Sequence, residues 1–146
     1  MIKKNIFYIK NLKNVVFIGE HDSLKELIKI NKLYKLNTKV VTSEDQAKSL
    51  KSQNIEYKVF KKLDKKYEKF ISNEFNVEET LFLSIRSRWI FKKEKIKSFY
   101  KFNLVNYHPS RLPLYSGGAD VSWRIMSGDR IDCQTFHIIN ENIDSG

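Results

Sequence analysis

Short apolar runs alternate with charged, helix-periodic stretches through the first hundred residues. Asn14–Gly19 (NVVFIG) carries no charge and predicts a strand buried on both faces. Asp22-Ser23 then opens a helix: Ser23 and Glu26 stand in capping-box spacing, and Leu24, Leu27 and Ile28 form an apolar stripe. Thr38–Thr42 (TKVVT) predicts a second strand, followed by a polar helix over Asp45–Lys51. Ile55–Phe60 reads as a third short strand, and Lys62–Phe75 as a helix with Leu63, Tyr67, Phe70 and Ile71 on one side. Thr80–Ile85 (TLFLSI) is a fourth strand, Lys92–Tyr100 a short basic helix and Phe102–Tyr107 a fifth strand. After a Pro/Gly loop, Val121–Met126 predicts a helix and Cys133–Ile139 a sixth strand.

Strands alternating with helices imply right-handed crossovers. The expected fold class is therefore α/β: a Rossmann-like, doubly wound, mostly parallel sheet with helices on both faces. A length of 146 residues fits one domain, 1–146, with no linker, repeat or low-complexity segment. In such sheets ligands bind beyond the carboxyl ends of the strands, so the loop after the fifth strand is a candidate site before any motif is considered. Both prolines, Pro109 and Pro113, fall there, as do Gly117 and Gly118.

Composition narrows the function classes. The chain holds 27 Lys+Arg against 17 Asp+Glu, a net charge of +10. The lysines are dispersed from Lys3 to Lys101 among Glu, Asp and Asn, with no arginine-rich block and no nucleic-acid-binding motif. A solvated lysine surface is expected, with attraction of an anionic substrate as the functional alternative. The lone Cys133 excludes an intramolecular disulfide and fits a reducing compartment. Apolar runs such as Val15–Ile18 are far short of a membrane span, and the basic start Met1-Ile2-Lys3-Lys4 lacks the apolar stretch of a signal peptide. A cytoplasmic location is expected. Gly19-Glu20-His21-Asp22 is not a G-x-G-x-x-G turn, no Walker-type loop is present, and the three histidines have no metal-ligand spacing.

Chemistry concentrates in Asn106–Gly118 (NYHPSRLPLYSGG). Asn106 and His108 are two apart at the end of a strand, so their side chains share a face roughly 7 Å apart along the backbone. An amide donor beside a titratable imidazole suits a developing oxyanion. Pro109 ends the ladder, and Gly117-Gly118 lets backbone approach a ligand. The carboxylate such a pair requires is Asp144, in Asn142-Ile143-Asp144-Ser145-Gly146 just past the sixth strand. On the residues alone, a core amide and a hydrogen-bonded histidine remain the alternative. His137 reads as a sheet or core residue, Trp123 as helix packing, and Arg86 and Arg88 as exposed surface.

Asn106–Gly118, with Trp123, Gly128-Asp129, Thr135, His137 and Asp144-Ser145-Gly146, resembles the core of the formyltransferases that use 10-formyltetrahydrofolate. The motif N-x-H-P-S-x-L-P-x-Y-x-G is followed in that family by a helix, a strand and a D-T-G-like turn. Members include the methionyl-tRNA, glycinamide ribonucleotide and nucleotide-sugar enzymes. The match is specific over the last forty or so residues, and Thr80–Trp89 resembles the family strand before the basic helix.

The resemblance implies Asn106, His108 and Asp144 as the catalytic trio, with no metal. It implies that an amine attacks the formyl carbon, that Asn106 and His108 stabilise the oxyanion, and that Asp144 shuttles the amine proton. The folate donor is expected along Ser110, Leu112, Pro113, Tyr115, Gly117 and Gly118 and the strand before them. The run Gly117–Trp123 is similar to the sugar-modifying branch, so the expected acceptor is an amino sugar carried on a nucleotide. A tRNA acceptor is the second reading, and a non-catalytic formyltransferase-like binding module the third. Arg111 stands where the family often has Leu, Ser116 where it has Arg, and the turn is Asp-Ser-Gly. Family catalytic domains continue with a further strand and helix, so the domain is expected to be incomplete beyond Gly146.

Overall fold

The computed structural model describes residues 9–114, 116, 120–131, 133–142 and 144, with residues 120 and 121 described in their backbone alone. The order is β1 (Asn14–Gly19), α1 (Leu24–Leu33), β2 (Asn37–Thr42), α2 (Ala47–Ser52), β3 (Lys58–Val59) and α3 (Lys65–Glu74). A 3-10 turn (Val77–Glu79) leads into β4 (Thr80–Ile85), α4 (Lys93–Ser98), β5 (Leu104–His108), α5 (Asp120–Met126) and β6 (Thr135–Ile138). The strands form one sheet in the order β3-β2-β1-β4-β5-β6. All pairs are parallel except β5–β6, which is antiparallel. The expected α/β, doubly wound, mostly parallel architecture is the one found.

Alternation along the central strands divides the interior in two. Val16, Ile18, Phe82 and Leu104 face α3 and α4, packing on Tyr67, Ile71, Ile96 and Tyr100. Val15, Phe17, Leu83 and Val105 face the other way, onto Leu24, Leu50 and Ile55. Each fully buried aliphatic or aromatic side chain contributes roughly 1.5–3 kcal/mol. The two layers therefore pin the central strands in register, and with them the ends that carry the site.

Several boundaries differ from expectation. The third strand shrinks to Lys58–Val59 at the sheet edge: Ile55 enters one core, and Phe60, its N–H still bonded to the Thr42 carbonyl at 3.0 Å, enters the other. The fifth strand begins at Leu104, since Lys101 and Phe102 adopt left-handed backbone in the turn after α4. His108 is consequently its last ladder residue, opposite Thr135. The capping box at α1 does not form. Ser23 is already helical in φ and ψ and makes no side-chain cap, while His21 Nδ1 accepts the Ser23 N–H at 3.1 Å.

The order of the sheet reverses between β1 and β4. Gly19, φ +121°, ends β1 there so tightly that a Cβ would stand 2.0 Å from the Ile85 carbonyl oxygen. The Glu20 N–H then donates to that same carbonyl at 3.1 Å. Among the described residues, no helix is long and apolar enough to cross a membrane.

Candidate active site

β5 runs Leu104-Val105-Asn106-Tyr107-His108, and the alternation that sends Leu104 into the α3–α4 core places Asn106 and His108 on that same side. Tyr107 points to the opposite face, where it meets His21 and Phe136. Asn106 is flanked by Ser84 of β4 and by His137 of β6, its ladder partners. Both neighbours are buried, so the amide stands between two fixed polar side chains at the carboxyl end of the sheet.

Asp144 turns back over this end. Its Oδ1 lies 3.8 Å from His108 Nδ1 and 3.6 Å from His137 Nε2. The expected trio of Asn106, His108 and Asp144 is thus gathered in one place, with His137 as a fourth member. The two imidazole rings sit 6.5 Å apart, nearly perpendicular, with the Asp144 carboxylate within 4 Å of a nitrogen of each. His108 is only 7 % exposed, so its contact with Asp144 is largely shielded from solvent.

In the tautomer that carries its proton on Nδ1, His137 donates to the Ile138 carbonyl at 3.3 Å. Nε2, 3.2 Å from Asn106 Nδ2, then accepts one amide hydrogen. Burial holds the His137 pKa below 6.5, and the His108 ring lowers it further; the Ile138 carbonyl and Asp144 act the other way. The neutral ring therefore fixes the Asn106 amide with its nitrogen, not its oxygen, toward β6.

Beside these residues opens a cleft of about 230 Å³. One wall is Asn106, His137 and Asp144; the other is Trp89, Ile90 and Phe91, with Asn140 and Asn142 at the rim. That volume is below the roughly 300–1,000 Å³ of sites enclosing a drug-sized ligand, and fits a ring system rather than a whole cofactor. Ser110, Leu112 and Pro113, expected along the donor, do not line it. Ser110 is fully buried and its carbonyl accepts from Thr135 Oγ1 at 2.7 Å, tying the loop after β5 to β6. Arg111 pairs with Asp129 at 3.1 Å, fastening the same loop to the segment after α5. Tyr115, Gly117 and Gly118 lie outside the described residues.

Other expectations resolve simply. Arg86 and Arg88 are exposed and paired with Glu20 and Asp45. Trp123 is 61 % exposed and so does not serve as helix packing. His137, read as a sheet residue, is one, but the reading missed that its register aims it at Asn106; no spacing in the chain announces an antiparallel register. The Trp89–Phe91 wall had a weak signal, an apolar run directly after the fourth strand. Among the described residues no group of His, Cys, Asp and Glu could hold a metal ion.

Over 53 residues the chain is 36% identical to the methionyl-tRNA formyltransferase of Thermodesulfovibrio yellowstonii, covering 36% of this chain and 17% of that one. Over 79 residues it is 32% identical to the GDP-perosamine N-formyltransferase of Brucella melitensis, covering 54% of this chain and 30% of that one. The chain thus spans less than a third of either relative. Its fold superposes on the phosphoribosylglycinamide formyltransferase of Anaplasma phagocytophilum with a TM-score of 0.73 at 22% identity, over 94% of this chain and 69% of that one. Residues 12–146 match the family described as Formyl transferase, and the chain belongs to that family.

Proposed function

We propose that this chain transfers a formyl group from 10-formyltetrahydrofolate to a primary amine, and that the amine is the amino group of a nucleotide-linked sugar. The observation that carries the reading is the convergence of Asn106, His137 and Asp144 on one wall of a cleft whose other wall is aromatic and apolar, with His108 behind them, 3.8 Å from Asp144. The donor brings the activated formyl carbon. Trp89 and Phe91 supply flat apolar surface for its pterin, and the rim asparagines supply hydrogen bonds to the ring edge.

The chain's own groups then divide the work. One hydrogen of the Asn106 amide is engaged by His137 Nε2, and the other is left to meet an oxyanion developing on the formyl oxygen. His108 stands one ladder step beyond as the second donor. As the amine nitrogen bonds to the formyl carbon and the bond to the folate nitrogen breaks, the amine proton must reach the departing nitrogen. Asp144, within 4 Å of both imidazoles, is the base that relays it.

The acceptor choice rests on the relatives. The similarity to a GDP-perosamine enzyme favours the sugar. A tRNA acceptor is the second reading, favoured by the net charge of +10 and the similarity to a methionyl-tRNA enzyme. A formyl-transfer assay comparing a nucleotide-linked amino sugar, methionyl-tRNA and glycinamide ribonucleotide tests the choice. Turnover with the sugar alone supports the proposal, turnover with another acceptor redirects it, and turnover with none overturns it.

A further inference from the structure

Gln46 occupies the N-cap position of α2 but makes no cap bond there. Its buried side chain is spent elsewhere: Nε2 donates to the Arg86 carbonyl at 2.6 Å, across the carboxyl end of β1, which lies between β2 and β4. The amide fits only this way round, since Oε1 in that place would set two acceptors against each other. Arg86 is the first residue after β4 and has left-handed backbone, φ +50°, which a residue with a side chain adopts at a cost. Asp45, the neighbour of Gln46, pairs with Arg88 Nε at 3.1 Å. The Ser43 hydroxyl lies 2.5 Å from Asp45 Oδ1 and 3.0 Å from Gln46 Oε1, so one turn organises both holds. The Asp45–Arg88 pair is exposed and contributes little. The Gln46–Arg86 bond has a buried donor, and breaking it leaves polar groups unmatched.

From Arg86 the chain runs directly into Trp89, Ile90 and Phe91, the apolar wall of the cleft. This stretch belongs to no helix or strand. The Trp89 N–H donates locally, to Ser87 Oγ at 3.2 Å, and the indole N–H reaches the Lys61 carbonyl at 3.4 Å, past the usual range. The short bond from Gln46 therefore fixes the course of the wall where it leaves the sheet. Gln46 itself neither lines the cleft nor enters either core. Resting on the donor assignment above, we propose that Gln46 is a positioning residue: it holds the Arg86–Phe91 segment in the course that receives the donor's ring system, and so sets donor affinity without touching the donor.

The test is equilibrium binding of a hydrolysis-resistant 10-formyltetrahydrofolate analogue to the wild type, Gln46→Met and Gln46→Glu, with urea unfolding of each. Gln46→Met keeps the length of the side chain and removes the donor group, so its folded form is expected to bind the analogue about tenfold more weakly. Gln46→Glu can donate to the Arg86 carbonyl only while protonated. Burial, Asp45 and Glu20 favour the protonated form, and the Arg86 and Arg88 guanidinium groups oppose it. Measured against the wild type at the same pH, its affinity is expected to be about equal at pH 5 and about tenfold lower at pH 8. Wild-type affinity in a folded Gln46→Met protein, however far its stability falls, overturns the positioning role and leaves the donor reading intact. If Gln46→Met does not fold, Gln46→Glu decides, and a ratio to wild type that stays constant with pH overturns the proposal. A folded wild type that binds no analogue overturns the donor reading and this inference with it.

Discussion

Asn106 Nδ2 and His137 Nε2 meet at 3.2 Å across the antiparallel β5–β6 ladder, and this contact sets which end of the amide faces the cleft. It exists only while His137 is neutral. A proton on Nε2 would turn the acceptor into a donor and force the amide to present its oxygen instead.

Acid should therefore weaken both the fold and the site. Burial holds the folded-state pKa of His137 below 6.5, so on acidification the unfolded chain binds this proton first. Stability tied to the neutral ring is complete above pH 6.5 and is lost as the pH falls toward the folded-state pKa. Thermal melts of the protein and of His137→Gln between pH 5 and 8 check this: the wild-type midpoint should fall more steeply in acid than the variant's. Parallel slopes would remove His137 as the titrating group.

His108→Ala addresses the chemistry directly. His108 is nearly buried, 3.8 Å from Asp144, and contributes to neither hydrophobic core. The variant is expected to keep its circular dichroism spectrum while losing about 100-fold or more in formyl-transfer rate. Asp144→Asn, which keeps the shape and removes the base, should lose a comparable factor in kcat with a smaller effect on donor KM. Turnover retained in both variants would refute the assignment.

How legible this site was depends on the kind of information each residue carries. Asn106, His108 and Asp144 stand in a motif, and β1 and β4 are apolar runs buried on both faces, so their bounds follow from pattern. Asn106 and His137 are 31 residues apart and meet only through a strand register, a tertiary fact. Ser23 and Glu26 have the spacing of a capping box, yet the turn from Gly19 brings the His21 ring to the Ser23 N–H first. The cleft wall at Trp89–Phe91 lies in irregular backbone after β4, where neither helix nor strand periodicity applies.

A buried polar atom offers a stability test away from the site. Thr42, at the end of β2, is fully buried, and its Oγ1 has no hydrogen-bond partner among the described residues. Thr42→Val keeps the branched shape and removes a desolvated hydroxyl, so it is expected to stabilise the protein by about 1 kcal/mol. Urea unfolding measures this, and a destabilised variant would show that the hydroxyl has a bound partner.

Gly19 and Gly128 separate two reasons for glycine. Both have positive φ, but a Cβ at Gly19 would collide with the Ile85 carbonyl, whereas one at Gly128 would meet nothing within 4 Å. Backbone conformation alone costs an alanine about 1–2 kcal/mol, and Gly128→Ala should lose that much. Gly19→Ala must in addition push β1 away from β4 at the point where the sheet order reverses, and should lose about 4 kcal/mol or fail to fold. Because β4 ends one residue before the Arg86–Phe91 segment, any Gly19→Ala protein that does fold should also bind the donor analogue more weakly than Gly128→Ala does. Equal unfolding free energies for the two variants would mean that the β1–β4 junction is not the rigid base on which the cleft is built.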